Sequence, residues 1–399
     1  MTVQGLIFPI ELIEAIIDHF HSDKKSLKAC SLVCKAWTSR TRFHLFACLN
    51  LQRQDVETFI NSSSRINIVH FVRHLRLIRG CWYSDSGPWE EIIPRLVDFH
   101  NVRHLGLFDL TLGSSKSSIC SALVGQFAHI VDLCLTGVQG TSFAAFAEVI
   151  CAFPSLETLG LNSIWWTSSI MPAQTLSPPR NLHSLQMTGN QHGIVLKWLL
   201  SLHAIPALHT LYLYDGDLRD GEITKKLLKA LSPFLEALVV SSWIDYYSCG
   251  MSILLASIHT IRSGQTIDLP HLRSIQIEVF EDDYAVKQIL SCITSLKLED
   301  IAFLYLVDDE DYEDHDPDND LWLELDAILA RPQFSKLTKV SITFTAFSPA
   351  DEFYRQWFVD HLPQCHARGI LVFHIGKRSP RISGVLSIPL SVGMASLET

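Results

Sequence analysis

An apolar motif of the form Leu-x-Leu recurs along almost the whole chain, and this repetition restricts the possible folds more than any other feature of the sequence. It is plainest where Val72–Leu77 is echoed by Val102–Leu107. The paired apolar positions are 49/51, 75/77, 105/107, 133/135, 159/161, 185/187, 211/213 and 238/240. Looser copies stand at 275/277, 304/306, 340/342 and 372/374, the last with His374 in place of an apolar residue. Successive pairs lie 26, 30, 28, 26, 26, 26, 27, 37, 29, 36 and 32 residues apart. This period predicts stacked units that each hold one short strand and one returning segment.

Each predicted strand should alternate its side chains between the two faces of a sheet. The two leucines of a pair would then enter the core, and the residue between them would face outwards. In several units a third leucine precedes the pair by three residues, as Leu156 precedes Leu159 and Leu182 precedes Leu185. Helical patterns fill the intervals, at 118–129, 142–152, 193–203, 224–231, 252–262, 284–293, 321–330 and 350–362.

The repeats resemble those of leucine-rich-repeat proteins. That resemblance implies an α/β solenoid over residues 51–375, with about eleven parallel strands on the concave side and helices on the convex side. The Asn or Cys that usually follows the last strand leucine by three residues is mostly absent: Asn190 fits, whereas Leu110, Val138 and Ile164 stand at equivalent positions. An ordinary α/β fold, with helices on both faces of a parallel sheet, is the alternative.

Residues 1–50 form a separate apolar unit ahead of the repeats. Three short helices are predicted, because Pro9 suits a first helical turn and Leu12–Phe20 carries apolar residues at helical spacing. Ser22–Asp23 and Ser31 are the expected N-caps of the second and third helices. A segment this short buries only part of its apolar surface by itself. Some of that surface is therefore expected to meet something else.

The same segment resembles the F-box, the helical module by which substrate receptors dock on the Skp-type adaptor of SCF (cullin–RING) ubiquitin ligases. The resemblance is carried by Pro9–Leu12, by the run Leu27–Trp37, and by Arg42 with Leu45–Phe46. The family usually has Leu where this chain has Phe8. The resemblance implies adaptor contacts by Phe8, Pro9, Ile10, Leu12, Ile16, Leu27, Cys30, Leu32, Val33 and Trp37. A helical cap that only covers the end of the repeats is the alternative interpretation.

The negative charge of the chain is concentrated in one place. The formal net charge is −10, but residues 308–320 hold nine of the 42 acidic side chains and no basic one, which leaves 33 acidic against 32 basic groups elsewhere. So many like charges in a short stretch predict a solvated segment. The near-neutral remainder shows no basic surface for nucleic acid. Residues 376–399, rich in Ser, Gly and Pro, are predicted to form a flexible tail.

The sequence points to a cytoplasmic or nuclear protein. No long uncharged apolar run is present, so no membrane span is expected. Pro9 and Glu11 interrupt the apolar run near the N-terminus, which does not resemble a secretory signal. The ten cysteines are scattered singly and are expected to be reduced.

No catalytic or metal-binding motif in the sequence is complete. His70 and His74 straddle the entry to a predicted strand, and Pro363 interrupts the ligand types of residues 361–366. Asp314–Asp320 alternates like the start of a calcium loop, yet Leu325 stands where that loop needs a bidentate Glu. No P-loop, dinucleotide fingerprint or nucleophile elbow is present. The sequence predicts no enzyme, no metal and no cofactor, with a cysteine- or histidine-based hydrolase as an alternative.

Aromatic residues gather just after several predicted strands, where the loops of a solenoid line up along one rim. Trp and Tyr are frequent binding hot spots. The candidates for target binding are Trp82, Trp165, Trp166, Tyr212, Tyr214, Trp243 and Tyr246. The concave strand positions are predicted to add His104, Phe108, Thr136, Asn162, Gln186, Gln276 and Tyr305. Packing of these aromatic loops against one another is the alternative.

Two functions of different classes follow from these features. The first is a non-catalytic substrate-recognition subunit of an SCF-type ubiquitin ligase, which would bind the Skp-type adaptor through residues 1–50 and an unidentified target protein through the repeats. Its effect would be proximity, since a held target meets the ubiquitin-loaded enzyme at a high local concentration. The second is a repeat scaffold that works without the ligase and uses the N-terminal helices as a cap.

Overall fold

The computed structural model describes residues 9–62, 65, 68–79, 91–96, 98–112, 118–173, 175–188, 192–214, 221–241, 266–279, 284–306, 319–345 and 351–375. Within these ranges the chain passes from three helices into one long parallel sheet. The predicted helix at 252–262, most of the acidic segment 308–320 and the predicted tail 376–399 lie outside them.

The three N-terminal helices are α1 (Ile10–His19), α2 (Lys24–Ser31) and α3 (Lys35–Phe46). Asp23 caps α2 as predicted, because its carboxylate accepts hydrogen bonds from two backbone N–H groups of the first turn. Ser31 does not cap α3 as predicted; it is the last residue of α2, and α3 begins after Cys34. The apolar pair Leu32–Val33 therefore lies in the turn between two helices.

A charged cluster joins α1 to α3. The carboxylate of Asp18 accepts hydrogen bonds from the guanidinium of Arg40, and Nε2 of His44 lies 2.7 Å from Oδ1 of Asp18. The hydrogen bond from Arg40 is the main cause that lowers the pKa of Asp18 from 3.8 to about 2, against the opposing effect of burial. The cluster fixes the position of α1 on α3.

We expect the Asp18 cluster to make the N-terminal helices sensitive to acid. A carboxylate whose pKa is lower in the folded chain stabilises the fold above its unfolded pKa, near 3.8, and loses that contribution as the pH falls through about 2. Thermal unfolding of Asp18→Asn, followed by circular dichroism, should therefore change less across this range than that of the parent. Glu11→Gln, on the same helix, should keep the parent's profile. Identical profiles for the parent and Asp18→Asn would contradict this account.

Within the described ranges, twelve parallel strands form one continuous sheet in chain order, one at each of the twelve predicted pairs. The first strand begins at residue 48, slightly ahead of the predicted solenoid boundary at residue 51. The twelve strands are β1 (Cys48–Gln52), β2 (His74–Ile78), β3 (His104–Phe108), β5 (Asp132–Thr136), β7 (Thr158–Asn162), β9 (Ser184–Thr188), β10 (Thr210–Tyr214), β11 (Ala237–Ser241), β13 (Ser274–Val279), β15 (Asp300–Leu306), β16 (Lys339–Thr345) and β17 (Leu371–Ile375). Strands β4 (Thr111–Leu112), β6 (Gln139–Ser142) and β8 (Trp165–Ser168) form a second parallel sheet, and β12 (Ile267–Asp268) pairs with β14 (Ile293–Thr294).

The remaining helices fill the intervals between these strands. They are α4 (Arg53–Asn61), α5 (Ser118–Phe127), α6 (Phe143–Cys151), α7 (His192–Ser201), α8 (Gly221–Leu231), α9 (Tyr284–Cys292), α10 (Asn319–Leu329), α11 (Asp351–His361) and α12 (Pro363–Ala367). Short 3₁₀ turns stand at Val69–Phe71, Ile93–Arg95 and Pro332–Phe334. Apart from 252–262, each predicted helical interval holds a helix.

The core of the solenoid follows the predicted alternation. From β2 to β16 the first apolar residue of each pair is buried, and a buried aliphatic residue stands three positions before it, as Val72 stands before Leu75. These side chains belong to a single cluster that runs from Leu51 to Ile370. The chain is therefore an α/β solenoid of the leucine-rich-repeat type, with the strands on its concave side and the helices on its convex side.

The predicted register is wrong in β15. Its core pair is Ile301 and Phe303, which lie opposite the core pair of β13, so the predicted pair Leu304 and Leu306 is not in the core positions. Tyr305, expected on the concave face, continues the alternation of the core positions, and Leu304 stands in the concave row instead. Side chains alternate between the two faces of a strand, so a register error of one residue assigns every side chain of the strand to the wrong face.

The predicted register of β17 is wrong in the same way. Its core pair is Leu371 and Phe373, one residue earlier than the predicted pair at 372/374. For β15 the correct register was readable from Leu298, the aliphatic residue three positions before Ile301. The third aliphatic residue is thus a better guide than the pair itself where several apolar residues follow one another.

The turns that leave the strands explain why the usual Asn or Cys is absent. The apolar residues at those positions, Leu110, Val138 and Ile164, are buried and lead into the second sheet. Gly137 has a positive φ of 64°, and a Cβ there would lie 2.2 Å from Oδ1 of Asp109. Glycine therefore suits this turn, although Asp109 and Ser163 hold the equivalent positive-φ positions of the neighbouring turns. Backbone hydrogen bonds there continue the sheet beyond the strand ends.

Candidate functional site

The N-terminal helices expose a group of large apolar side chains. Its members are Ile10, Leu12 and Ile16 on α1 together with Leu32 and Val33 in the turn after α2, and we call them the helical apolar surface. Their exposed fractions range from 44% for Ile10 to 87% for Leu32. Single exposed apolar residues are ordinary, but five within 24 residues are a candidate interaction surface.

The other residues predicted to contact the adaptor differ in their placement. Leu27 is fully buried, so its predicted contact with a partner is corrected to a role in the core of the helical unit. Cys30 and Trp37 are half-buried and present only part of their side chains, whereas Pro9 is exposed at the start of α1. Phe8 lies outside the described residues.

The helical unit is attached to the first repeat through α3. This helix packs on the 3₁₀ turn Val69–Phe71 and on β1. The carbonyl of Ala47, just after α3, accepts hydrogen bonds from the N–H groups of Arg73 and His74, both with a donor–acceptor distance of 2.9 Å. The helices thus cover the start of the solenoid while α1 and the turn after α2 keep their apolar side chains in solvent.

A ladder of polar side chains crosses the middle of the concave face. The amide nitrogen of Asn162 donates to Oγ1 of Thr136 at 3.2 Å, and Oγ1 of Thr188 donates to Oδ1 of Asn162 at 3.0 Å. These residues occupy the same position in three neighbouring strands. Thr136 and Asn162 were predicted to face outwards, but Asn162 is buried by its neighbours and contributes to the order of the face rather than to a free surface.

Two stacked histidines mark the first part of the concave face. The rings of His74 and His104 lie 4.0 Å apart at an interplanar angle of 10°, and Nδ1 of His104 lies 3.2 Å from Oδ2 of Asp132. Burial, followed by the charge of His104, lowers the pKa of His74 to about 4. His74 is therefore neutral at physiological pH. The strand register brings these three side chains together, and the sequence pattern did not predict this juxtaposition.

Next to this cluster, the ring of Phe108 lies over a glycine. A Cβ at Gly106 would stand 2.7 Å from Cε2 of Phe108, so only glycine permits this position of the ring. The guanidinium carbon of Arg76 lies 6.0 Å from the ring centroid. Phe108 was predicted to be a concave contact residue, but its side chain is almost fully covered.

The predicted target-binding aromatics also separate into different roles. Trp165 is exposed, whereas Trp166 is buried, with its ring 5.1 Å from that of Phe143 and 5.8 Å from that of Phe146. The prediction that Trp166 contacts a target is therefore corrected: it anchors β8 on helix α6. Alternation along a strand separates adjacent residues in this way.

Tyr212 stands on the concave face, half-buried, and burial raises the pKa of its hydroxyl. Tyr214 lies at the end of β10, but its side chain lies outside what the structure describes, as do Trp82, Trp243 and Tyr246 entirely. The exposed apolar residues Ile170 and Met171 follow β8 and were missed. An apolar pair directly before Pro172 was the available signal.

The His, Cys, Asp and Glu side chains of the described residues do not gather into a metal site. No group of three or more His, Cys, Asp or Glu side chains in the described ranges could hold a metal ion. Burial raises the pKa of Cys151 and Cys365 to about 12, so these thiols stay protonated. None of the helices in the part of the chain that the structure covers has the length and apolar character that a membrane crossing requires.

Comparison with solved structures finds distant similarity. A protein from Bacteroides fragilis, solved as a structural-genomics target, aligns with a TM-score of 0.39 and 16% identity over 66% of this chain and 70% of its own. Internalin C2 from Listeria monocytogenes aligns with a TM-score of 0.31 and 14% identity over 73% of this chain and 91% of its own. No family model and no curated protein matches the chain. Because both TM-scores are low, the repeat architecture rests on the strand order and register described above.

Proposed function

We propose that this protein is a non-catalytic substrate-recognition subunit of an SCF-type ubiquitin ligase. The helical apolar surface would dock on a Skp-type adaptor, and the repeats would hold a target protein. The observation that carries the proposal is the exposure of Ile10, Leu12, Ile16, Leu32 and Val33 on folded helices whose sequence resembles an F-box.

The helical apolar surface is suited to docking because it is preformed. The hydrogen bonds of Asp18 with Arg40 and His44 hold α1 against α3, and Ile17 and Leu27 are buried inside the unit. A partner would therefore not have to order these helices, which lowers the entropic cost of association. Since the exposed side chains are uncharged, their burial would supply the main driving force.

Adaptor binding and target binding are proposed for two separate surfaces, the helical apolar surface and the concave face. The helical unit covers one end of the solenoid through α3, whereas the concave face extends along twelve strands beyond it. A target bound to the strands would leave the helical apolar surface free. The protein would act by bringing target and ubiquitin-loading enzyme together, and the chemistry would belong to the ligase.

The direct test is complex formation between the purified chain and a recombinant Skp-type adaptor bound to the N-terminal domain of a cullin. Size-exclusion chromatography with light scattering should show a complex with one copy of each protein. Titration calorimetry at low and high salt should give similar affinities, because the buried side chains are apolar. A chain that elutes alone at micromolar concentrations would refute the proposal.

The second candidate is a ligase-independent interaction scaffold. It is favoured by the contacts of α3 with β1 and with Val69–Phe71, since these are what a cap of the first repeat requires. In that case removal of α1 and α2 would lower the stability of the first repeats, and no adaptor complex would form. The adaptor titration therefore separates the two functions.

A further inference from the structure

We propose that the first part of the concave face binds an extended, acidic segment of the target protein through the guanidinium groups of Arg73, Arg76 and Arg103. The inference rests on the target-binding half of the proposed function, and it adds a place on the solenoid and a charge class of ligand. Three observations carry it. The arginines are held in fixed positions, the described carboxylates do not neutralise them, and the charge changes sign in the repeats that follow.

Two of the arginines are held in the same way in successive repeats. Nη1 of Arg73 donates to the carbonyl of Asn101 at 3.3 Å, and Nη1 of Arg103 donates to the carbonyl of His129 at 3.1 Å. The two carbonyl groups occupy equivalent positions before β3 and β5, so the guanidinium groups are one strand spacing apart, about 4.8 Å. A carbonyl oxygen fixes a guanidinium without neutralising it, and both positive charges therefore remain.

Arg76 provides a third positive charge, in the middle of the face. Its guanidinium carbon lies 6.0 Å from the centroid of the Phe108 ring, which itself covers Gly106. Within the part of the chain that the structure describes, Arg76 makes no hydrogen bond and no ion pair. Arg73 and Arg76 are three residues apart along β2, which corresponds to a distance on the order of 10 Å.

The surface that carries the arginines is described without a gap. It consists of residues 68–79, 98–110 and 129–136. Arg103 is exposed there, and the other two arginines are half-buried with part of each side chain in solvent. An anion can therefore approach all three from the concave side and its rim.

Two acidic side chains stand on the same repeats, but they do not pair with these arginines. Nδ1 of His104 lies 3.2 Å from Oδ2 of Asp132, and the positive charge that acts on the carboxyl of Asp109 is that of Arg79. The stacked His74 adds no charge, because burial lowers its pKa to about 4. A surplus of positive charge remains on this part of the face, and it is complementary to an acidic ligand.

The charge changes sign in the next repeats. Val131 stands in the row of Arg73 and Arg103, and Glu157 follows it one strand later. Glu157 is exposed, with a carboxylate oxygen 3.6 Å from Nε2 of His183 in the following strand. An acidic ligand is therefore attracted to the first repeats and repelled by the next ones, which restricts the site to β2 and β3.

The spacing of the three charges favours two carboxylates over a single phosphate. A phosphate bound between Arg73 and Arg103 is too small to reach Arg76, on the order of 10 Å away. In the polyproline II conformation, residues i and i+3 lie on the same side of the chain and about 9 Å apart. One carboxylate would bridge Arg73 and Arg103, and the second would meet Arg76. Arginine clusters recognise acidic segments in this way.

The probe is a fluorescein-labelled peptide of four Glu-Pro-Ser triplets, in which every third residue carries a carboxylate and proline favours the polyproline II conformation. Fluorescence anisotropy with the full chain should show binding at about 20 mM salt that weakens several-fold at about 150 mM, because salt screens the charges. The same peptide with Gln in place of Glu should not bind. A peptide with its four glutamates side by side should bind more weakly than the triplet peptide.

Arg76→Glu combined with Arg103→Glu should weaken binding of the triplet peptide at least about tenfold. Arg73 stays unchanged in this variant, because its guanidinium carbon lies 5.9 Å from the ring centroid of Phe43 on α3 and contributes to the attachment of the helical unit. The matched control is Lys226→Glu combined with Lys229→Glu. It changes the net charge equally at exposed positions of helix α8 and should bind like the parent.

Arg76→Gln tests the site without a new negative charge. Since Arg76 has no hydrogen bond to lose among the described residues, this variant should unfold at the parent's temperature and bind the triplet peptide several-fold more weakly. The proposal is overturned if the triplet peptide does not bind, or if the glutamate variants of the two faces weaken binding equally. Tighter binding of a peptide with a single phosphoserine would assign the arginines to a phosphate and would also overturn it.

Failure of this site and failure of the proposed ligase function are distinguishable. The variant with Arg76→Glu and Arg103→Glu should form the adaptor complex like the parent, because neither residue belongs to the N-terminal helices. Peptide binding without adaptor binding would leave the acidic-segment site intact and refute the ligase role. Adaptor binding without peptide binding would refute the site and leave the ligase role intact.

Discussion

Replacement of Leu32 and Val33 by aspartate should abolish binding to the Skp-type adaptor and leave the thermal unfolding curve of the chain unchanged. Both side chains lie in the turn between α2 and α3 and are mostly in solvent, so a charge costs the free protein little. In a complex the same carboxylates would be buried in an apolar interface without partners, which is strongly unfavourable. We expect affinity to fall by at least about a hundredfold.

The matched control for this variant is Leu296→Asp. Leu296 is also a highly exposed leucine, at 75%, but it stands between β14 and β15, far along the chain from the helices. Titration calorimetry should give the parent's affinity for this control. If the double aspartate variant binds the adaptor as well as Leu296→Asp does, the helical apolar surface is not the docking site.

Trp322→Ala should lower the free energy of unfolding by about 3–5 kcal/mol, more than any of the other substitutions. Trp322 on α10 is buried, and its ring lies 5.4 Å from that of Phe303 on β15 and 4.7 Å from that of Phe358 on α11. Truncation therefore leaves a cavity between three elements of the last repeats. The urea midpoint, followed by circular dichroism, should fall accordingly.

The neighbouring residue offers the control for Trp322→Ala. Leu323 on the same helix is exposed, so Leu323→Ala should change the free energy of unfolding by less than about 0.5 kcal/mol. Because a solenoid is held together by contacts between adjacent repeats, Trp322→Ala should still bind the adaptor through the distant helices. Equal effects of the two alanine variants would contradict the packing described here.

Local pattern was sufficient to predict the repeat architecture. Apolar alternation specifies which face of a strand is buried, and the period of the repeats specifies where the next strand pairs. The strands from Leu75 to Leu238 and their helices were therefore predicted in the correct register. The predicted register is wrong in β15 and β17, where consecutive apolar residues allow two registers. The register of these strands is set by pairing with the neighbouring strand, as the positions of Ile301 and Phe303 opposite the core pair of β13 show.

The candidate surfaces were predictable in kind but not in detail. The sequence pointed to the N-terminal helices, yet only their mutual packing decides that Leu27 is buried while Leu32 is exposed. Likewise a pair of tryptophans after a strand predicts a contact surface, whereas the second sheet decides that Trp166 faces α6 and Trp165 faces solvent. Which side of a helix or strand meets water depends on the neighbours it packs against.

The period, the alternation and the apolar excess of residues 1–50 are properties of neighbouring positions along the chain, and they were enough to predict the solenoid and to indicate a candidate docking segment. The histidine stack and the polar ladder join residues about 26–30 positions apart. Their geometry arises only when the repeats stack, because register and crossing angle are set by side-chain packing between units. For that reason the histidine stack and the polar ladder could be read only from the tertiary structure.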